Sequence, residues 1–137
     1  MYKRQELGRA IVMREGTDVS IVACGLMVSA ALEAAEALEA EGISAEVVNM
    51  HTIKPLDTET LFASAAKTGR VVTVEEHSVI GGLGEAVCAA LCEHTPVRVK
   101  RVGVQDVYGE SGPALDLLDK YGLNAEGIAF AVREVLA

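Results

Sequence analysis

The chain has 137 residues, of which 50% are apolar and only 4% aromatic, and its formal net charge is −8. This length fits one domain, and the acidic charge argues against nucleic acid and anionic membranes as partners, because both are bound through clusters of Lys and Arg. No apolar run approaches the roughly 20 residues that a membrane-spanning helix needs. With no signal peptide at its start, the sequence predicts a cytoplasmic protein.

The first elements follow a charged start. Residues 1–7 show no pattern, which predicts a disordered start or a cloning remnant ahead of a domain that spans residues 8–137. A short apolar run at 10–13 predicts a first strand, and Gly16-Thr17-Asp18 predicts a tight turn. Residues 19–24 are almost continuously apolar, which is typical of a strand that is buried on both faces.

Helical and extended patterns then alternate along the chain. Residues 26–41 carry apolar side chains on one helical stripe, and Gly42 is suited to end this helix. Residues 43–50 predict the next strand. Asp57 is suited to cap the helix that follows, and Gly69 to end it.

The second half repeats this alternation. Residues 70–75 predict a strand, and residues 76–84 form a glycine-rich loop that leads into a helix. A strand at 97–102 follows, and then a helix that starts at Pro113. Asn124 is suited to cap the last helix.

The order of elements predicts an α/β fold with a mostly parallel sheet. Strands that are joined by single helices run parallel, and the helices then cover both faces of the sheet. The first strand is joined to the second by a tight turn, so we expect the first strand to be antiparallel.

The richest candidate site lies where the strand at 70–75 ends, because ligands of open α/β sheets bind at the carboxyl ends of strands. The free amides of the following helix start could hold an anion. Alternatively, the glycines only let the backbone bend and the helix pack closely. The residues that we predict at an interface or an anion contact are Glu75, His77, Ser78, Gly81, Gly82 and Gly84.

Signatures of common catalytic sites are missing from the sequence. The glycine pattern lacks the small third residue and the later acid of a dinucleotide fingerprint, and no Walker loop or nucleophile elbow occurs. His51 and His77 could act as bases, but neither has an identifiable partner, which favours local hydrogen bonding. Cys88 and Cys92 have no Cys-x-x-Cys partner or nearby His, so we predict buried thiols rather than a metal site. We therefore assign no catalytic residue and no metal ligand.

Three segments together resemble the C-terminal domain of transketolases, particularly the short and split forms. They are residues 42–57 (GISAEVVNMHTIKPLD), residues 73–84 (TVEEHSVIGGLG), and residues 104–112 (VQDVYGESG), which LLDKYGL at 117–123 extends. The resemblance runs from about Gly8 to the end of the chain. The first two segments are also similar to other thiamine enzymes, and the third narrows the likeness to transketolase.

This resemblance implies a three-layer α/β/α domain with five strands, the first antiparallel. Transketolases transfer a two-carbon ketol unit between sugar phosphates and use thiamine diphosphate and a divalent metal. The diphosphate and pyrimidine domains hold this cofactor, and neither is found in the sequence. The resemblance therefore implies a domain that binds no cofactor, is inactive alone, packs on those two domains and supports a homodimer.

Two alternatives to this function stay open. The same domain occurs in deoxyxylulose phosphate synthases and in the β chains of 2-oxo acid dehydrogenases. The second alternative is a free-standing module that binds a small anion at residues 81–84.

Overall fold

The computed structural model describes residues 5–137, so most of the predicted disordered start, residues 1–4, lies outside the described residues. The strands are β1 (Ile11–Arg14), β2 (Val19–Ala23), β3 (Ala45–Asn49), β4 (Arg70–Ser78) and β5 (Arg98–Val104). The helices are α1 (Met27–Glu39), α2 (Thr58–Thr68), α3 (Leu83–His94), α4 (Ala114–Lys120) and α5 (Ala125–Leu136). The strands form one sheet in the order β1-β3-β2-β4-β5. No described helix is both long and apolar enough to cross a membrane.

The sheet is the middle layer of an α/β/α sandwich, which confirms the predicted fold class. All five residues of β2 are buried, and β2 pairs in parallel with both β3 and β4. One apolar core joins the sheet to α1 and α5, and a second core on the opposite face joins it to α2 and α3. Both faces of the central strand are therefore covered, as its continuous apolar sequence predicts.

β1 runs antiparallel, as expected, but it pairs with β3 and not with β2, the next strand in the chain. Both edges of β2 are already used by parallel partners, so the edge of β3 is the one that can accept β1. Asp57 ties the two segments together: its Oδ1 accepts from the Thr60 amide at 3.1 Å, and its Oδ2 accepts from the Ala10 amide at 2.8 Å. The predicted helix cap thus also fixes the start of β1.

The predicted ends of the first and last helices are confirmed. Gly42 has φ +80°, and the next amide, of Ile43, donates to the Leu38 carbonyl at 3.0 Å, which closes α1 with a left-handed C-terminal turn. Asn124 caps α5, since its side-chain oxygen accepts from the Gly127 amide at 2.9 Å.

β4 is longer than the sequence indicates, because it continues past Glu75 to Ser78. Its pairing with β5 is irregular between Val74 and Ser78, where β4 bulges. β5 also extends, to Val104, and Ser78 is its partner there. Gly103 makes room for the bulge, since a Cβ at Gly103 would lie 2.8 Å from the His77 carbonyl oxygen. Bulges often re-aim side chains beside functional sites.

β5 is the outer strand on the side opposite β1. Its sequence, RVKRVGV, places cationic residues on a partly exposed strand. Lys100 pairs with Glu134 of α5 at 2.8 Å. The second edge strand of the sheet therefore carries three basic residues in a protein that is acidic as a whole.

Candidate functional site

The carboxylate of Glu75 is buried at the carboxyl end of β4, with only 2% of the residue exposed. Its Oε2 accepts from the Leu83 amide at 2.7 Å, and its Oε1 accepts from the Gly84 amide at 2.9 Å. These amides belong to the first turn of α3, where the helix dipole favours a negative charge. The helix start therefore does hold an anion, and that anion is a side chain of the same chain.

The three glycines around this contact have different roles. Gly81 has φ +79°, a conformation that glycine adopts without a Cβ penalty. A Cβ on Gly82 would lie 2.0 Å from Glu75 Oε2, and a Cβ on Gly84 would lie 2.9 Å from Thr73 Oγ1. The glycines thus let α3 approach the Glu75 carboxylate, which is the close packing that the sequence left open. Binding of a separate small anion at residues 81–84 stays a prediction.

The other candidate residues line the loop between β4 and α3. His77 is exposed, and its Nδ1 lies 2.7 Å from the Ser78 carbonyl oxygen and 3.9 Å from Glu75 Oε2. The Ser78 hydroxyl accepts from the Ile80 amide at 3.1 Å. Glu76 is exposed while Glu75 is buried, as strand alternation predicts. Hydrogen bonds within the loop therefore shape it, and Glu76 and His77 face solvent.

A crevice of about 330 Å³ opens beside this loop. β2 and β4 are neighbours, but β2 leads to α1 on one face of the sheet while β4 leads to α3 on the other. Diverging connections at adjacent carboxyl ends leave a gap, which is where open α/β sheets place ligands. The gap is lined by Cys24, Gly25, Leu26, Ile53, Glu75, Glu76, His77, Gly81 and Gly82.

The crevice has little capacity for nucleophilic chemistry. Burial raises the pKa of the Cys24 thiol, and the charge of Glu75 raises it further. The protonated thiol is a poor nucleophile. His51, at the end of the neighbouring β3, uses its Nδ1 in a 3.0 Å contact with the Thr52 hydroxyl, which agrees with the predicted local hydrogen bonding. Cys92 is exposed and Cys88 half-buried, so the prediction of buried thiols is wrong for Cys92.

These residues do not fit a thiamine diphosphate site. Such a site needs ligands for a divalent metal and donors for the diphosphate. Among residues 5–137, no group of three or more His, Cys, Asp or Glu is arranged to hold a metal ion. The amides of Leu83 and Gly84, which begin α3 and could face a phosphate, are already bound to Glu75.

A second buried carboxylate, Glu46 of β3, was missed at the sequence level. Glu46 is 1% exposed and forms an ion pair with Lys67 of α2. The Ser64 hydroxyl donates to Glu46 Oε1 at 2.6 Å, and it also lies 2.6 Å from the Ser20 hydroxyl. The available signal was a single charged residue, Glu46, within the mostly apolar strand AEVVN, followed by a helix with both Ser and Lys.

The sequence of the chain matches a known protein family. The family model of the transketolase C-terminal domain matches residues 8–128. The chain belongs to this family.

Two relatives and one solved structure show which individual proteins the chain is similar to. Over 129 residues, the domain is 54% identical to a 6-deoxy-6-sulfo-D-fructose transketolase subunit of a Clostridium species, and 94% of the chain aligns. It is 47% identical over 130 residues, again 94% of the chain, to a 1-deoxy-D-xylulose-5-phosphate synthase of Heliobacterium modesticaldum. A solved structure described as a split gene transketolase, inactive beta4 tetramer, superposes with a TM-score of 0.93 and 57% identity over 97% of the chain.

The chain spans only part of each of these proteins. It covers 40% of the Clostridium subunit, 20% of the synthase and 44% of the split-gene transketolase chain.

Proposed function

We propose that this chain is the C-terminal section of a transketolase that transfers a two-carbon ketol unit between sugar phosphates. The observation that supports this proposal most strongly is the match, over nearly the whole chain, to split-gene transketolase proteins at 54% and 57% identity. In the proposed enzyme, other domains hold thiamine diphosphate and its divalent metal. This domain packs against them and is inactive alone.

The role of the domain is to help assemble the enzyme, and it supplies no reacting groups. It supports a homodimer of the complete enzyme, and the segment from Glu75 to Gly84 lies at an interface with the diphosphate or pyrimidine domain. Its location is the cytoplasm, which suits three cysteines that are all free thiols.

Reconstitution of the enzyme tests this function. The purified chain is mixed with the polypeptide that carries the diphosphate and pyrimidine domains, and ketol transfer between sugar phosphates is measured with thiamine diphosphate and magnesium. We expect activity only in the mixture. Calorimetric titration of the chain alone with thiamine diphosphate and magnesium should give no binding heat. Ketol transfer by the isolated 137-residue chain would show that the proposal is wrong.

The 47% identity to a deoxyxylulose phosphate synthase supports a second candidate, the same supporting role in that enzyme. The reconstituted mixture separates the two candidates by its product. Formation of 1-deoxy-D-xylulose 5-phosphate, without ketol transfer between sugar phosphates, would favour the synthase.

A further inference from the structure

The mouth of the crevice between β2 and β4 is apolar. Leu26 is 65% exposed and Ile53 is 39% exposed, and both line the crevice. Ile80, also exposed, precedes Gly81 on the rim. Large apolar side chains that lie together on a surface often mark a site where another molecule packs. The crevice therefore offers a contact for an apolar group.

The polar part of the lining carries negative charge. Glu75 is neutralised in part by the two amides that it accepts, whereas Glu76 is exposed at the rim. The described lining residues include no Lys or Arg, and Lys54, although it follows Ile53 in the chain, does not line the crevice. With a formal net charge of −8 on the chain, an incoming carboxylate or phosphate is repelled and a cation is attracted.

The chain enters the domain at the same edge of the sheet. β1 is antiparallel to the other strands, and Ile11 at its start pairs with Asn49 at the carboxyl end of β3. Just before β1, the Gly8 amide donates to the Thr52 hydroxyl at 3.2 Å. Polypeptide ahead of residue 8 would thus arrive at the end of the sheet where the crevice opens, on its β3 side, and the relatives are long enough to include such polypeptide.

We propose that the crevice receives an Arg or Lys side chain from the polypeptide that carries the diphosphate and pyrimidine domains. The aliphatic stem lies against Leu26 and Ile53, and the cationic head faces Glu76. Arg and Lys bury their stems on apolar surface while the charged end stays near polar groups. This inference rests on the proposed function, since it names the contact through which the two sections join.

A second copy of the chain is the less suitable occupant. In a two-fold symmetric contact the same patch meets itself, which would bring together the acidic rims of two chains that each carry −8. Such like-charge contacts oppose association. A companion with a basic side chain meets no such repulsion.

The experiment compares two charge reversals by titrating the purified chain with the companion polypeptide. Glu76→Lys changes the rim of the crevice, while Glu36→Lys makes the same change on the exposed side of α1, roughly 15 Å further along the helix than Leu26. Both residues are exposed, and circular dichroism verifies that both variants fold. We expect Glu76→Lys to weaken binding at least about tenfold, and Glu36→Lys to change it by less than about twofold.

A third variant, Leu26→Ser, should also weaken binding to the companion, because it removes the apolar contact for the stem. If the wild type and Glu76→Lys bind the companion with equal affinity in an active mixture, the crevice contact is wrong. The proposed function would then stay intact. If Leu26→Ser dissociates an oligomer of the chain in sedimentation experiments without weakening companion binding, the occupant is a second copy, and the inference is wrong. A mixture that neither binds nor reacts contradicts the proposed function itself.

Discussion

Two buried carboxylates lie under the same face of the sheet and are stabilised in different ways. Glu75, at the carboxyl end of β4, accepts two backbone amides from the first turn of α3. Glu46, on β3, is paired with the Lys67 ammonium and the Ser64 hydroxyl, both on α2. The negative charge of Glu75 is compensated by fixed backbone dipoles, and that of Glu46 by side chains that can rearrange.

This difference has consequences for what each site tolerates. The amides of Leu83 and Gly84 are fixed in the first turn of α3, so they cannot turn toward another protein acceptor when Glu75 is absent. The Lys67 side chain is 39% exposed and also pairs with Glu15 at 2.7 Å, so it retains a partner and water when Glu46 is absent. A buried charge thus costs most to remove when its partners are immobile.

The largest expected effect comes from truncating the two carboxylates. Glu75→Ala leaves two buried amides without acceptors, and we expect a loss of about 3 kcal/mol in the free energy of unfolding, since each orphaned group costs roughly 1–3 kcal/mol. Glu46→Ala should cost about half as much. Urea titrations of both variants measure the difference, and equal losses or the reverse order would refute the comparison.

A methyl group on Gly82 tests how tightly Glu75 is packed. Its Cβ would lie 2.0 Å from the Glu75 carboxylate, so Gly82→Ala should destabilise the fold by about 2–3 kcal/mol, as overpacking does. Gly81→Ala is the matched control: no atom lies within 4 Å of its Cβ, and only its φ of +79° is unfavourable, at about 1 kcal/mol. Thermal or urea unfolding that ranks Gly81→Ala as the more damaging change would argue against this packing.

Asp57 is a third carboxylate to compare with Glu75 and Glu46, and it joins α2 to the start of β1. Burial opposes its ionisation, but hydrogen bonds from Thr60 and Ala10 and the charge of Arg9 outweigh burial and lower its pKa. Because the folded-state pKa is the lower one, the stabilisation is complete above the unfolded value, about pH 4, and is lost as the pH falls through the folded value.

Asp57→Asn should therefore cost about 1 kcal/mol at pH 7, in the range of helix-cap losses. The difference from wild type should shrink as the pH falls below about 4, where the carboxyl of the unfolded chain becomes protonated, and should continue to shrink down to the lower folded-state pKa. Unfolding measured from pH 7 to pH 3 follows this convergence. A constant difference across that range would mean that the charge of Asp57 contributes nothing.

The smallest effect is expected at Glu15, the exposed partner of Lys67. Glu15→Gln removes an ion pair at the surface, where such pairs contribute little, while Lys67 keeps Glu46. The free energy of unfolding should stay within the error of a urea titration. A clear loss would show that the pair with Glu46 depends on Glu15.

Much of the fold could be predicted because local signals agreed with it. The apolar run of β2, the cap at Asp57 and the stop at Gly42 each depend on residues that are close in the chain. The neighbour of β1 could not be predicted, since it depends on which strand edges remain unpaired once β2 lies in the centre. The extension of β4 to Ser78 depends on a bulge against β5, which is equally non-local.

The candidate site was predictable in the same uneven way. Glycines before a helix start indicated Glu75, although not that its own carboxylate would bind the amides. Glu46 was missed because its partners Ser64 and Lys67 lie 18 and 21 positions away, on a helix whose docking angle the sequence does not reveal. Whether the loop from Glu75 to Gly84 meets another domain stays a prediction.

The position of β5 limits how these molecules can aggregate. Its Arg98, Lys100 and Arg101 are three of the twelve basic residues in the chain, and they lie on an outer strand. A strand added along this edge would have to lie against those charges, which is how many proteins discourage edge-to-edge pairing. At the opposite edge, β1 offers only four residues and an irregular register. Copies that meet at high concentration are thus discouraged from extending the sheet into fibrils.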